Sequence, residues 1–454
     1  MHSNNAPIRQ SLNAADCLML SAHNSLREIG HSGFHCQTHL WLRQRLDVGA
    51  LKNALSRLSL RYPVITSRLV EHSRENGPYW QSRPGAQCKL HEASLDRSDT
   101  NMVWQYASDL FATPLDHDRI DPAEFHLLHL PDGRDVLLMR FSHVLMDGKA
   151  PELVLKEIEY CLHTQGIEAK DEDHPHKKTR RPHENGDEMA THLNGFKRLR
   201  RYRAALRVVS NHLCLPARSV TLAPSDTSDQ PMDYYGVDVR SLDESQTKTI
   251  IDRATRLCGF TNLTPTVLAS VFRAVSRLAS DKQNKRSCFQ TDVPLTLRPP
   301  GKSEPVFHNI ISFIQMNAKE SDIDDRDHLT QVLHSQMRNQ LRRHIDLGNL
   351  QMMTALSRHR WLLRKYIVAH IRKHPFTLDF CFMGPVAEGL EQFCGRTVDW
   401  LYTLNTTTSP RGVALQVNLF RDRMNLVMTY ISKSMPKALA STFLDTITED
   451  LLDD

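Results

Sequence analysis

His143 ends an apolar run, and an Asp-Gly pair follows four residues later, in the stretch MRFSHVLMDG from Met139 to Gly148. An imidazole at the end of a stiff strand can present one nitrogen to a cleft. There it takes a proton from a hydroxyl or amine as that group attacks an acyl carbon. Positioned acid–base catalysis of this kind contributes about 10²–10⁴-fold. Asp147 is spaced to orient the ring or to pin the loop, and Gly148 leaves room for a tight turn or a ligand. Two other readings fit the same residues. A histidine after an apolar strand is often a core side chain bonded to backbone. His with Asp also coordinates zinc, although no third ligand can be named. The grouping His35, Cys36, His39 lacks a second Cys/His cluster to complete a metal site, so a structural role is expected there, and no metal.

These residues need elements to hold them. The stretch HCQTHLWLRQRL reads as a strand. A helix then starts with Asp47 as N-cap, carries Leu51, Leu55 and Leu58 on one face, and stops at Pro63. Two apolar runs flank Pro131-Asp132-Gly133-Arg134, which predicts a hairpin. Its second run, Val136 to Phe141, is apolar on both faces, as a central strand covered on both sides would be. A helix is expected after Gly148. Later, Thr264 is placed as an N-cap with Pro265 at the first helical position. CFQTDVPLTLRPPG and HNIISFIQMNA read as strands. GVALQVNLFRDRMNLVMTYI reads as a hairpin turning at Arg421-Asp422-Arg423, and the chain closes on a helix.

The 454 residues, 40% hydrophobic, are enough for two domains. The division falls at residues 167–190, a polar stretch with almost nothing apolar, between units 1–166 and 191–454. Nine cysteines without a CxxC pair suit reduced thiols. No secretory leader and no membrane span are read from the sequence, so a cytoplasmic location is expected. The net charge of +5 suits an acidic ligand such as a phosphorylated nucleotide, or an anionic membrane surface. No nucleic-acid motif is visible. Basic segments at 197–207 and 358–374 read first as solvated helix faces. Trp361, Leu362, Tyr366 and Ile367 are candidates for contact with lipid headgroups.

SHVLMDG resembles the His-His-x-x-x-Asp-Gly motif of the chloramphenicol-acetyltransferase-like superfamily, which includes condensation domains and many acyltransferases. In layout the chain is most similar to bacterial wax ester synthase/diacylglycerol acyltransferases. SLNAADCLML resembles their opening, and TPTVLASVFRAVSRL, VPLTLRPP and HNIIS fall where that family has a helix and two strands. The resemblance implies an α/β fold: two similar α/β domains packed face to face, with an active-site tunnel between them. It implies His143 as general base, with Asp147 paired to Arg298 to fix the loop, and Gly148 beside them. The donor would be an acyl-CoA or an acyl-carrier thioester acting as co-substrate, with no permanently bound cofactor. The acceptor would be a small hydroxyl or amine compound. An acyl carrier protein and a membrane surface are further candidate partners. Ser142, the Gly148 N–H and Asn405 are candidates to contact the oxyanion or substrate.

The sequence departs from that family at several positions. Ser142 replaces the first motif histidine, Thr264-Pro265 replaces an Asn-Asp pair, and Cys381 stands where an asparagine is expected before Gly384-Pro385. Asp379 and Phe380 read as ordinary strand. The expected activity is therefore acyl transfer. The alternatives are a condensation-type module working on carrier-bound chains, and a non-catalytic ligand-binding scaffold of the same fold.

Overall fold

Residue types in the N-terminal half select short, well-capped helices around a buried sheet. Asn13 caps α1 (Ala14–Glu28), and Asp16 at the third helical position accepts the Asn13 N–H in return, a reciprocal capping box. Strand β2 (His35–Leu42) is buried at every position, and Asp47 caps α2 (Val48–Arg61) as the sequence predicts. Short strands β3 (Arg68–Val70) and β4 (Tyr79–Gln81) join β1 (Arg9–Ser11) in a small sheet. Then come β5 (Leu90–Ser94), α3 (Thr100–Ala112), and the hairpin β6 (Ala123–His129) and β7 (Asp135–Ser142), followed by α4 (Ala150–His163). Gly133 holds the hairpin turn at φ 88°, a backbone conformation that favours glycine.

The second half contributes α5 (Arg198–Leu213), β8 (Tyr235–Ser241), α6 (Glu244–Cys258), α7 (Leu263–Leu278), β9 (Cys288–Thr296) and β10 (Ile311–Lys319). It continues with α8 (Arg326–Arg342), α9 (Ile345–Ser357), α10 (Arg360–Lys373), β11 (Asp379–Pro385), β12 (Gln392–Phe393), β13 (Arg396–Asn405), β14 (Val413–Phe420), β15 (Arg423–Ile431) and α11 (Lys437–Leu452). The computed structural model describes residues 7–71, 77–163, 196–213, 219–222, 235–259, 263–279, 288–298, 306–373, 376–407 and 412–453. The expected polar linker at 167–190 lies outside them.

Two principal sheets organise the molecule. One runs β12-β13-β2-β7-β6-β5 and the other β11-β14-β15-β8. Strand β7 is central and buried along its whole length, as its two-sided apolar pattern predicts. Its Leu137, Met139 and Phe141 face the core shared with α1, α2 and α4, while Val136 joins Phe111, Tyr235 and Val427 where the two sheets meet. The six-stranded sheet is not built from one stretch of chain. Strand β13 pairs with β2, from Val398 opposite Leu42 to Asn405 opposite Cys36, so residues 392–405 complete a sheet of the N-terminal half.

Two expectations change here. Helix α7 begins at Leu263, which puts Thr264 and Pro265 inside its first turn, both buried, so Thr264 is not the cap. The C-terminal hairpin turns on Arg421 and Asp422, both at positive φ, and Arg423 already pairs with Phe420. A two-residue turn of that kind matches the right-handed twist of its strands.

Candidate active site

Strand β7 ends because Ser142 folds back on itself. Its hydroxyl accepts the Val144 N–H at 3.1 Å, and its carbonyl accepts the Leu145 N–H at 3.0 Å. The turn delivers His143 to the edge of a cavity of about 320 Å³, whose wall also includes Asp147, Gly148 and Asn405. On one side the imidazole packs on Phe34, with ring centroids 4.6 Å apart and planes tilted by 30°, and the His143 backbone N–H donates to the Phe34 carbonyl at 3.2 Å.

The other side of the ring meets Asn309. The Asn309 side-chain nitrogen donates to the His143 carbonyl at 2.8 Å and to Asp16 Oδ1 at 2.8 Å. A carbonyl and a carboxylate can only accept, so the amide orientation is fixed. The oxygen of the amide therefore faces His143 Nδ1, at 3.0 Å, and can only accept. The proton of a neutral imidazole must sit on Nδ1, which leaves Nε2 with the free lone pair. Burial, the largest influence, holds the His143 pKa below the ordinary value. At neutral pH the ring is uncharged, as a base must be.

Asp16 anchors this arrangement from the first turn of α1. Besides the capping bond, it accepts the Asn309 backbone N–H at 2.8 Å and pairs with His308 Nδ1 at 2.6 Å. Asp16, His308 and Asn309 are buried. None of the three is evident from the His-x-x-x-Asp-Gly spacing. Two local signals exist: Asn13-x-x-Asp16, a capping-box pattern whose acid proves to have a second use, and the stretch HNIIS, which holds His308 and Asn309.

The hydrogen bonds of Asp147 go to Arg298 and to backbone rather than to the His143 ring. Both of its oxygens lie 3.1 Å from Arg298 Nε, Oδ1 accepts the Lys149 N–H, and Oδ2 accepts the Ile310 N–H. Arg298 also donates to the carbonyls of Val306 and His308. One ion pair thus ties the loop after β7 to the segment that carries Asn309. Gly148 has ordinary backbone torsions, and its place is steric: a Cβ there would press on Met383 Cε at 3.3 Å, and both residues line the cavity.

Other expected contacts fall differently. Ser142 is fully buried, its hydroxyl accepts the Val144 N–H in the turn, and it is not among the residues lining the cavity, unlike Gly148 and Asn405. Tyr366 lines the cavity and Ile367 is buried, which removes both from the expected lipid-facing group, while Trp361 and Leu362 remain exposed. His35 and His39 are buried against Ser32 and Gln37, and no cluster of three metal-ligating side chains occurs among the described residues. The described cysteines are free thiols, and no described helix is long and apolar enough to cross a membrane.

No family model matches the chain, and no curated protein matches it. Solved structures do. The first condensation domain of the CDA synthetase superposes with a TM-score of 0.71 at 13% identity, over 98% of this chain and 97% of that one. A trichothecene 15-O-acetyltransferase from Fusarium sporotrichioides gives 0.71 at 11% identity, over 100% and 96%. The epimerization domain from the third module of tyrocidine synthetase B gives 0.65 at 13%, over 98% and 97%. This chain has the condensation-domain fold. The two α/β halves expected from the motif are those of the condensation-domain fold, and within it the likeness to wax ester synthases rests on the sequence stretches alone.

Proposed function

We propose that the chain is an acyltransferase in which His143 is the general base. The observation that carries this reading is the lock on the ring: Asn309 fixes the proton on Nδ1, so Nε2 is free to act in a cavity large enough for a small ligand. Nε2 takes the proton of an acceptor hydroxyl or amine as that atom attacks a thioester carbonyl. A new C–O or C–N bond forms, the C–S bond breaks, and the proton passes to the departing thiolate. Asp147 and Arg298 hold the loop and touch no reacting atom. The Gly148 N–H and Asn405 stand in the cavity wall as candidate partners for the developing oxyanion.

The donor is an acyl-CoA or an acyl-carrier thioester. The trichothecene acetyltransferase neighbour favours a free-standing transferase. The condensation-domain neighbours favour the second reading, a module that joins chains delivered by a carrier protein. The test is a panel of acyl-CoA esters assayed for free thiol, with and without candidate alcohols and amines, on the natural chain and on His143→Ala. Acceptor-dependent thiol release that disappears in the variant supports the proposal. Binding of a carrier protein with no release from any CoA ester supports the condensation reading. Tight binding of an apolar ligand with every thioester left intact would leave a non-catalytic scaffold.

A further inference from the structure

The cavity has a second chemical feature, on the wall made by β9, β11 and β14. Thr291 Oγ1 donates to the Leu378 carbonyl at 2.8 Å, and the Thr377 N–H to the Gln290 carbonyl at 2.7 Å, so β9 runs beside the chain entering β11. This brings Asp292 and Asp379 into the same wall. Asp379 accepts the Thr407 hydroxyl at 2.9 Å. The backbone of Asp292 is used, its carbonyl by the Thr291 hydroxyl and its strand register by Gln315, but its carboxyl has no hydrogen bond or ion pair to a described residue. The other charged side chains of the wall are engaged: Asp147 by Arg298, and Lys149 by Glu152 and the Pro385 carbonyl. Gln416 of β14 pairs with Cys381 of β11, lines the cavity at 3% exposure, and its Oε1 has no partner among the described residues.

A carboxylate held in an enclosed space without a partner is costly, and an unsatisfied amide oxygen adds to the cost. A ligand that brings positive charge and N–H donors removes both penalties. A neutral donor can satisfy the amide oxygen but leaves the carboxylate charge uncompensated, and an anion adds to it. We propose that the acceptor substrate is a cation, an amino alcohol or diamine whose ammonium group binds Asp292 and Gln416 while its other end meets His143. The reaction step rests on the transfer reading above; the binding does not.

The ionisable groups around Asp292 are Asp379 and Cys381 from β11 and Tyr366 from α10. Burial, and then the charge of Asp379, pushes the Asp292 carboxyl up to about 7. Below that pH an ammonium group must compete with a proton, so binding strengthens from pH 6 to pH 8.

The experiment is titration calorimetry of the whole chain with 4-amino-1-butanol, 1,4-diaminobutane, 1,4-butanediol and 4-hydroxybutyrate. The amines are expected to bind at least tenfold tighter than the diol, more tightly at pH 8 than at pH 6, with 4-hydroxybutyrate weakest. Asp292→Asn should erase the preference for the amines, with a melting curve showing that the variant is folded; Asp292→Ser serves if the asparagine variant does not fold. Equal binding of diol and amine, a preference that survives in the variant, or no binding of either amine would overturn the proposal. Amine binding in a chain that consumes no thioester would keep the cation subsite and remove the transfer reading. Thiol release with neutral acceptors, unchanged in Asp292→Asn, would do the reverse.

Discussion

Asn309 offers His143 an oxygen and nothing else, because its amide hydrogens are used by Asp16 and by the His143 carbonyl. Replacing it with leucine keeps the size and frees the ring to turn or change tautomer. The expected result for Asn309→Leu is a fall in kcat on the order of 10²-fold with KM nearly unchanged, read from initial rates. His143→Ala should lose about 10²–10⁴-fold while its melting temperature stays close to that of the natural chain, since the ring faces a cavity. The pH–rate profile carries a sign as well. Burial lowers the His143 pKa, so the ring stays neutral as the pH falls through 6.5, and the acid limb should lie below the ordinary histidine value. A limb above 6.5 would mean that the ring is held in its charged form.

At the scale of elements, one ion pair joins two loops. Arg298 touches Asp147 and the carbonyls of Val306 and His308, and is itself 11% exposed in its side chain. Arg298→Met leaves a buried carboxylate unpaired, and unfolding in urea should show a loss of about 3–5 kcal/mol. A loss below 1 kcal/mol would mean that the pair is dispensable to the fold. The packing of α9 on α5 makes a second test. A Cβ on Gly348 would lie 2.5 Å from the Ala204 carbonyl oxygen, so Gly348→Ala must push the helices apart, at about 1–3 kcal/mol. These elements also mark what could be read beforehand. The hairpin, the Asp47 cap, the central strand and the Asp147–Arg298 pair were legible, because alternation, turn residues and a recognisable motif are local or familiar signals. The Asp16–Asn309 support was not, because its members are nearly 300 residues apart and meet only when α1 packs on the segment before β10. The burial of Ser142 was not legible, because adjacency to the histidine does not show that the chain turns at Ser142 and uses its hydroxyl in that turn. Tyr366 looked like a surface aromatic because the basic residues around it hide the apolar face of α10.

At the scale of the whole molecule, His23, His31, His35, His39, His117 and His126 are all buried. Burial lowers His23 and His31 to about 4 and His39 and His126 to about 3, and it holds His35 and His117 well below the ordinary value. In the unfolded chain each would take a proton near pH 6.5, whereas in the folded protein each takes one only much lower. The unfolded state therefore binds more protons between about pH 6.5 and 4, and stability falls as the pH drops through that window. Melting temperatures measured from pH 8 to pH 4 should be level above 6.5 and decline steadily below it. The sheet itself has a consequence for synthesis. On the ribosome, β2 emerges early, yet the strand that covers its open edge is β13, near the other end of the chain. At about 5–20 residues per second, that edge waits roughly tens of seconds for its partner. A nascent chain of this length therefore presents an unsatisfied apolar strand to the cell, and a chaperone that shields such edges is what its biogenesis would call for.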